Sequence, residues 1–437
     1  MTADLQGKPI TSAGSLISQI LSARHDAAAR ILNIDLVAVL VAALLPWSTS
    51  GVAIGMVLWL IALAPTVEWR PLLDSLRRPV SWLPIVLVVL AALGTLWSDA
   101  PWAVRVYALS PATKLLALPL LLYHFQRSPR GMWVFIAFLV SCVLMMAMSW
   151  LVMLYPGLSL KHDDVERGIF VKNYIDQSQE FAVCAVALAF PVFMLLRAGK
   201  RRQPLLLALI ALGFVVNMLF VIVSRTALVT LPIMLALFAL LHLRRRTSAA
   251  IFGAAIVLAG LTWAASPQLR WTTETFFRDY QLYKERNVPT SVGLRLEFWQ
   301  KSLRFFAEAP VIGHGTGSTR RLFEQAAIGS KEVATGQVVA NPHNQTLNVA
   351  IQWGTVGIVI LYATWLCHLL LFRGEGLTAW IGLLVVVQNI FTSLFNSHLF
   401  DFHEGWMYVL GVGVAGGMVL RAKADVAAAE PSHAARP

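Results

Sequence analysis

Charge is scarce in this 437-residue chain: Asp, Glu, Lys and Arg make up 13% of it, against 57% hydrophobic residues. A soluble domain carries about 25% charged residues, so the deficit excludes an ordinary water-soluble fold. The alternating polarity that a membrane β-barrel needs is also missing. There is no Walker loop to hold ATP, and no DxD triplet to hold a metal against a nucleotide sugar. Cys142, Cys184 and Cys367 lie inside apolar runs, with neither a disulfide framework nor a metal-ligand spacing.

What the chain has instead is a series of apolar runs, each near the ~20 residues that a helix needs to cross the hydrocarbon. The pattern predicts an all-α integral membrane protein with about twelve transmembrane helices. The net charge of +12 is spread over short connections: Arg77 and Arg78, Arg127 and Arg130, Lys200 to Arg202, Arg244 to Arg246. With no basic arm and no basic patch interleaved with aromatics, nucleic acid is excluded as a partner. The charge reports topology and contact with anionic membrane lipids. Alternate connections, such as PWSTSG and SDAPW, carry no Lys or Arg, which puts them outside and the N-terminus in the cytoplasm.

The expected organisation is therefore a cytoplasmic segment over 1–30, without a removable signal peptide, and nine spans over 31–265. A large periplasmic loop subdomain follows over 266–343, between the ninth and tenth spans. Three more spans occupy 344–421, and 422–437 form a cytoplasmic tail. No fixed-period repeat is present, which weakens a transporter built from inverted halves.

Three residues on the outer side are candidates for chemistry. His343, in NPHNQTLN, stands between the longest polar stretch and a return into the membrane. An imidazole with an ordinary pKa near 6.5 suits a general base, although a histidine bonded to backbone at a helix start is the plainer reading. Arg225, in SRTALV, sits at membrane depth, where an arginine costs roughly 2.5–3.5 kcal/mol and usually marks a site; snorkelling to headgroups is its bland alternative. Arg295, in GLRLEFW, opens an amphipathic helix and could equally be a solvated edge. Each guanidinium offers a planar fork matched to phosphate oxygens.

Other polar groups rank below these. Asn341, Asn344 and Gln345 flank His343 and could position it or bind sugar hydroxyls. Arg167 and Lys172, in the smaller outer loop, are candidate phosphate contacts. HLFDFHE brings His398, Asp401, His403 and Glu404 into the last outer connection. Its spacing matches no metal-ligand pattern, so His398 and His403 read as an outer polar rim in reach of an acceptor, and no metal is expected. Gly313, Gly315 and Gly317 allow close backbone approach or an anion-cradling turn, a plain loop being the simpler reading.

Taken together, SRTALV, R-x-x-x-W followed by P-x-x-G-x-G-x-G, and PHNQTLNVAIQWGTVG resemble the bacterial O-antigen ligase and polymerase superfamily. The matching positions are Arg225; Arg295, Trp299, Pro310, Gly313, Gly315 and Gly317; and His343, Asn344, Leu347, Gly354 and Gly357. The resemblance implies a GT-C-like helical fold in the bacterial inner membrane, with its active site facing the periplasm. It implies a glycan donor carried on undecaprenyl pyrophosphate and no metal or other cofactor. Within that superfamily, ligases transfer O-antigen to lipid A–core, polymerases extend the glycan, and relatives glycosylate proteins. About twelve spans with one dominant late loop most resemble the ligase. On that reading His343 is the base, and Arg225 and Arg295 bind the pyrophosphate. A transporter of an anionic lipid or sugar is the rival from another class.

Overall fold

The computed structural model describes residues 27–161 and 167–429, and every regular element among them is a helix. Nine helices among the described residues are long and apolar enough to cross a membrane, or ten if Trp69–Leu76 and Pro79–Leu93, bent by 80°, count as one span. The expected number was about twelve, and the difference lies in three stretches. Pro79–Leu93 is 15 residues and Leu377–Thr392 is 16; the latter is about 24 Å long against a hydrocarbon core of about 30 Å. Ala27–Leu44 starts at the edge of the described residues. Hydropathy finds apolar runs but does not see where a helix stops or bends. Residues 1–26 and 430–437, assigned above to cytoplasmic segments, lie outside the described residues.

Asp35 is fully buried, and its carboxylate accepts from His124 Nε2 at 2.7 Å and Ser128 Oγ at 2.8 Å. A buried carboxylate persists only with such partners. The most enclosed spanning helix is Phe402–Ala429. It packs on Ala117–Arg127 through small residues: a β-carbon at Gly413 would meet Leu121, and one at Gly417 would lie 2.7 Å from Phe125 Cβ. With no hydrophobic drive between helices in lipid, such close backbone approach is what association rests on.

Gln345–Leu371 is interrupted at Gly354, where φ is 60° and ψ is −154°. That conformation is essentially open only to glycine. The break frees carbonyls that a polar loop then satisfies. His314 N–H donates to Ile351 O at 2.8 Å and Gly315 N–H to Gln352 O at 2.9 Å, while Thr355 N–H donates to Pro310 O at 2.8 Å. The alternate glycines serve this docking. A β-carbon at Gly313 would lie 2.5 Å from the Gln352 carbonyl carbon, and one at Gly315 would lie 2.6 Å from Gly94 O. Close backbone approach, one of the roles expected of this run, is the one seen.

Gly354→Ala should therefore destabilise the protein by at least about 1–3 kcal/mol, read as a lowered thermal midpoint in detergent. Gly374→Ala, at a position with open space around it, is the matched control and should leave the midpoint unchanged.

Candidate functional site

Arg225 begins the Arg225–His242 helix, at the end of a short connection from the preceding span. Its guanidinium lies 3.5 Å from Asp279 Oδ2 and 5.8 Å from the centre of the Phe276 ring. Both partners come from Pro267–Arg286, a helix of the long polar segment. Arg295 stands in the second turn of Ser291–Glu308, whose start is capped by Thr290 Oγ1 accepting from Gly293 N. Its Nη1 donates to Ser291 Oγ at 3.0 Å, and its Nε is buried without a partner, as is Trp299 Nε1. Among the described residues no carboxylate pairs with Arg295, so its guanidinium has no counter-charge there.

His343 has a left-handed backbone, φ 55°, uncommon for a residue with a β-carbon. Local bonds hold it there: His343 N–H donates to Asn341 Oδ1 at 3.0 Å, and the ring stacks on Phe298 at 6.2 Å and 26°. His343 Nδ1 is 2.9 Å from Asn396 Oδ1. An amide oxygen only accepts, so Nδ1 carries the proton and Nε2 is the free acceptor. Asn341 Oδ1 in turn accepts from Ser397 Oγ at 2.7 Å, and Ser397 Oγ accepts from Asn348 Nδ2 at 3.1 Å. Gln352 extends the chain, donating to Asn348 Oδ1 at 2.9 Å and accepting from Gly317 N–H at 2.8 Å. The imidazole is thus tied to both the docked loop and the turn after Leu377–Thr392.

Electrostatics links the three residues. Burial pushes the His343 pKa below its ordinary 6.5, the Asn396 bond opposes this, and the Arg295 charge lowers it further. Burial also lowers the Arg295 pKa from its ordinary 12.5; the Arg225 charge acts in the same direction and Tyr174 against it. Each cation is felt by the next group, so the three share one neighbourhood at one end of the bundle. Both the burial and the Arg295 charge favour the neutral imidazole.

The remaining candidates are placed differently. Asn344 is the N-cap of Gln345–Leu371, its Oδ1 accepting from Leu347 N at 3.0 Å. Gln345 is buried, and its Oε1 accepts from Leu399 N at 3.0 Å. Lys172 is turned inward, 3.1 Å from Glu180 Oε1 and bonded to Leu45 O. Arg167 is exposed, its Nη2 lying 3.6 Å from Met153 Sδ. His403 Nδ1 is 2.5 Å from Asp176 Oδ2, whereas among the described residues buried His398 has no bonded partner on either nitrogen.

Residues 214–362, a stretch that contains Arg225, Arg295 and His343, match the family model described as O-Antigen ligase. That segment is similar to the O-antigen ligases. An O-antigen ligase of Pseudomonas aeruginosa is 28% identical over 157 residues, which is 36% of this chain and 32% of that protein. The match thus spans about a third of the relative's length.

Asn396 and Ser397 lie beyond the matched segment, and the spacing of motifs did not single them out. The one signal was their position, two polar residues closing an apolar run just before His398. The electrostatic coupling is open to direct measurement. Removing the Arg295 charge with Arg295→Gln should move the His343 pKa upward, towards 6.5. Histidine-labelled protein followed by NMR over pH reads this, and an unmoved titration would separate the two groups.

Proposed function

We propose that this protein is a lipid-linked glycan transferase. It moves an O-antigen glycan from undecaprenyl pyrophosphate to lipid A–core, at the periplasmic face of the bacterial inner membrane and within a GT-C-like helical frame. The observation that carries this reading is an imidazole whose Nδ1 is bonded to Asn396 and whose Nε2 is free, in the field of a half-buried arginine that has no carboxylate partner among the described residues. The family segment supports the general activity, and the positive-inside charge pattern supports the orientation.

In the proposed reaction, His343 Nε2 takes the proton from an acceptor hydroxyl. The oxygen attacks the anomeric carbon, and the bond from that carbon to the diphosphate oxygen breaks, its electron pair leaving with undecaprenyl pyrophosphate. Arg225 and Arg295 stabilise the charge collecting on the diphosphate, an electrostatic contribution that is often the largest single one in catalysis. A diphosphate is a good leaving group, so no general acid and no metal takes part in the bond-making. One displacement inverts the anomeric configuration. Asn396 is a positioning residue, keeping the proton on Nδ1; Asn341 holds the His343 backbone. Arg167 stays a candidate contact for the outer part of either substrate. Lys172, committed to Glu180, has no part in this reading.

The test is transfer by purified protein in detergent, with lipid-linked glycan and lipid A–core supplied. His343→Asn keeps a residue that tolerates the left-handed backbone and should lower transfer by about 10²–10⁴-fold. Near-normal transfer would remove the imidazole from the mechanism. Arg295→Lys keeps the charge but loses the fork, and a loss of about 10²-fold is expected. The pH profile adds a second reading. The base is lost as pH falls through the His343 pKa, so the acid limb should lie below 6.5. Ladder growth from donor alone would identify a polymerase, transfer to a protein a protein-glycan ligase, and gradient-dependent uptake into vesicles a transporter.

A further inference from the structure

The turn between Leu377–Thr392 and Phe402–Ala429 folds three potential metal ligands towards one point. One ligand atom each from His398, Asp401 and Glu404 lies within 4.8 Å of the other two, and His398 Nε2 is 3.8 Å from Glu404 Oε1. His398 is 1% exposed and Glu404 is 6% exposed. Among the described residues neither nitrogen of His398 has a hydrogen-bond partner, and Glu404 Oε1 has none either. A buried imidazole with both nitrogens unused is costly unless something is bound there.

The charged groups around the cluster are largely committed to one another. The neighbouring ionisable groups are Asp176, His403, Lys172 and Glu180, with Lys114 from the Trp102–Arg127 span and Arg295 and His343 near His398. His403 pairs with Asp176 and Lys172 with Glu180. The Lys114 ammonium donates to Phe400 O at 2.8 Å and Asp401 O at 2.5 Å. The same ammonium lies beside the carboxyl groups of both Asp401 and Glu404.

We propose that His398, Asp401 and Glu404 bind one divalent cation of the zinc or manganese class. One imidazole and two carboxylates form a donor set suited to those ions. Metal–ligand bonds of about 2.0–2.2 Å put ligand atoms about 3.0–3.4 Å apart, so the 3.8 Å pair closes by a few tenths of an ångström on binding, and a pair at the 4.8 Å limit of the cluster closes by more than an ångström. The ligands lie at consecutive turns of 398, 401 and 404, and the same loop carries Asn396 and Ser397. The cation therefore clamps the loop that orients the His343 ring and takes no part in transfer. That clamping role rests on His343 being the base, whereas the binding itself does not.

The experiment uses full-length protein without a histidine tag, stripped of metal and titrated in detergent with Mn²⁺ followed by electron paramagnetic resonance. Zn²⁺ is followed in parallel by elemental analysis after dialysis. The expected result is one equivalent per chain, with a thermal midpoint raised by a few degrees on metal addition. Both effects should vanish in His398→Ala and Glu404→Gln, with Asp401→Asn replacing either one that does not fold. No stoichiometric binding by the unmodified protein at concentrations well above micromolar would overturn the site, leaving a proton on the carboxylates as the balance. Binding undiminished in the variants would overturn it too, by placing the ion elsewhere. Because the readout is metal content and melting, it stays independent of whether His343→Asn abolishes transfer.

Discussion

The break in Gln345–Leu371 at Gly354 is the constraint around which the polar end of the molecule is arranged. A spanning helix normally satisfies its own backbone, and in hydrocarbon an unsatisfied carbonyl or amide costs several kcal/mol. Once the helix is interrupted, its freed groups must find partners from the same chain, and the run from Pro310 to Gly317 supplies them. Docking fixes what lies on either side of that run. Ser291–Glu308, with Arg295, is held just before it, and the stretch with His343 begins the broken helix itself. Arg225 joins them through Asp279 and Phe276 of the neighbouring polar helix. One glycine conformation thus gathers three functional groups that are far apart in sequence.

The charges around that point are segregated. On one side are two guanidiniums, one with a distant carboxylate partner and one with none among the described residues. On the other is the acid and imidazole cluster of the last outer turn, where burial raises the Asp401 pKa to about 7 and lowers that of His398 to about 4. The His343 ring lies between them. The two cations repel each other, only Arg225 having a carboxylate beside it, and on the proposed reading an arriving diphosphate removes that cost. That logic favours binding where negative charge grows during the reaction, the form of differential stabilisation that raises a rate.

Much of this was legible in the sequence, for identifiable reasons. Scarce charge and apolar runs announce a helical membrane protein. Arg225, Arg295 and His343 stood out because each is a polar group where an apolar or uncharged one would serve. The number of spans was less legible, because an 80° bend at residues 77 and 78 and a 16-residue helix leave no trace in hydropathy. Lys172 was misleading, since its buried partner Glu180 lies eight residues further on, and nothing in the spacing says which way either points. Asn396 was invisible for the same reason: its role exists only across the contact between two helix ends.

The orientation of the His343 ring decides what the site can do. Were Nδ1 the free nitrogen, the acceptor lone pair would point back at the Asn396 amide, and no substrate oxygen could reach it. The bond to Asn396 fixes the opposite tautomer, and the amide of Asn341 fixes the backbone in a conformation that the chain would not choose unaided. Both amides sit in one hydrogen-bonded chain that runs through Ser397 and Asn348 to Gln352, at the edge of the helix break. A substitution at that break therefore reaches the imidazole without touching it. Neutrality has the same origin as orientation. The burial that holds the ring in place, together with the nearby Arg295 charge, favours its unprotonated form, so the nitrogen left free is also basic when a hydroxyl arrives.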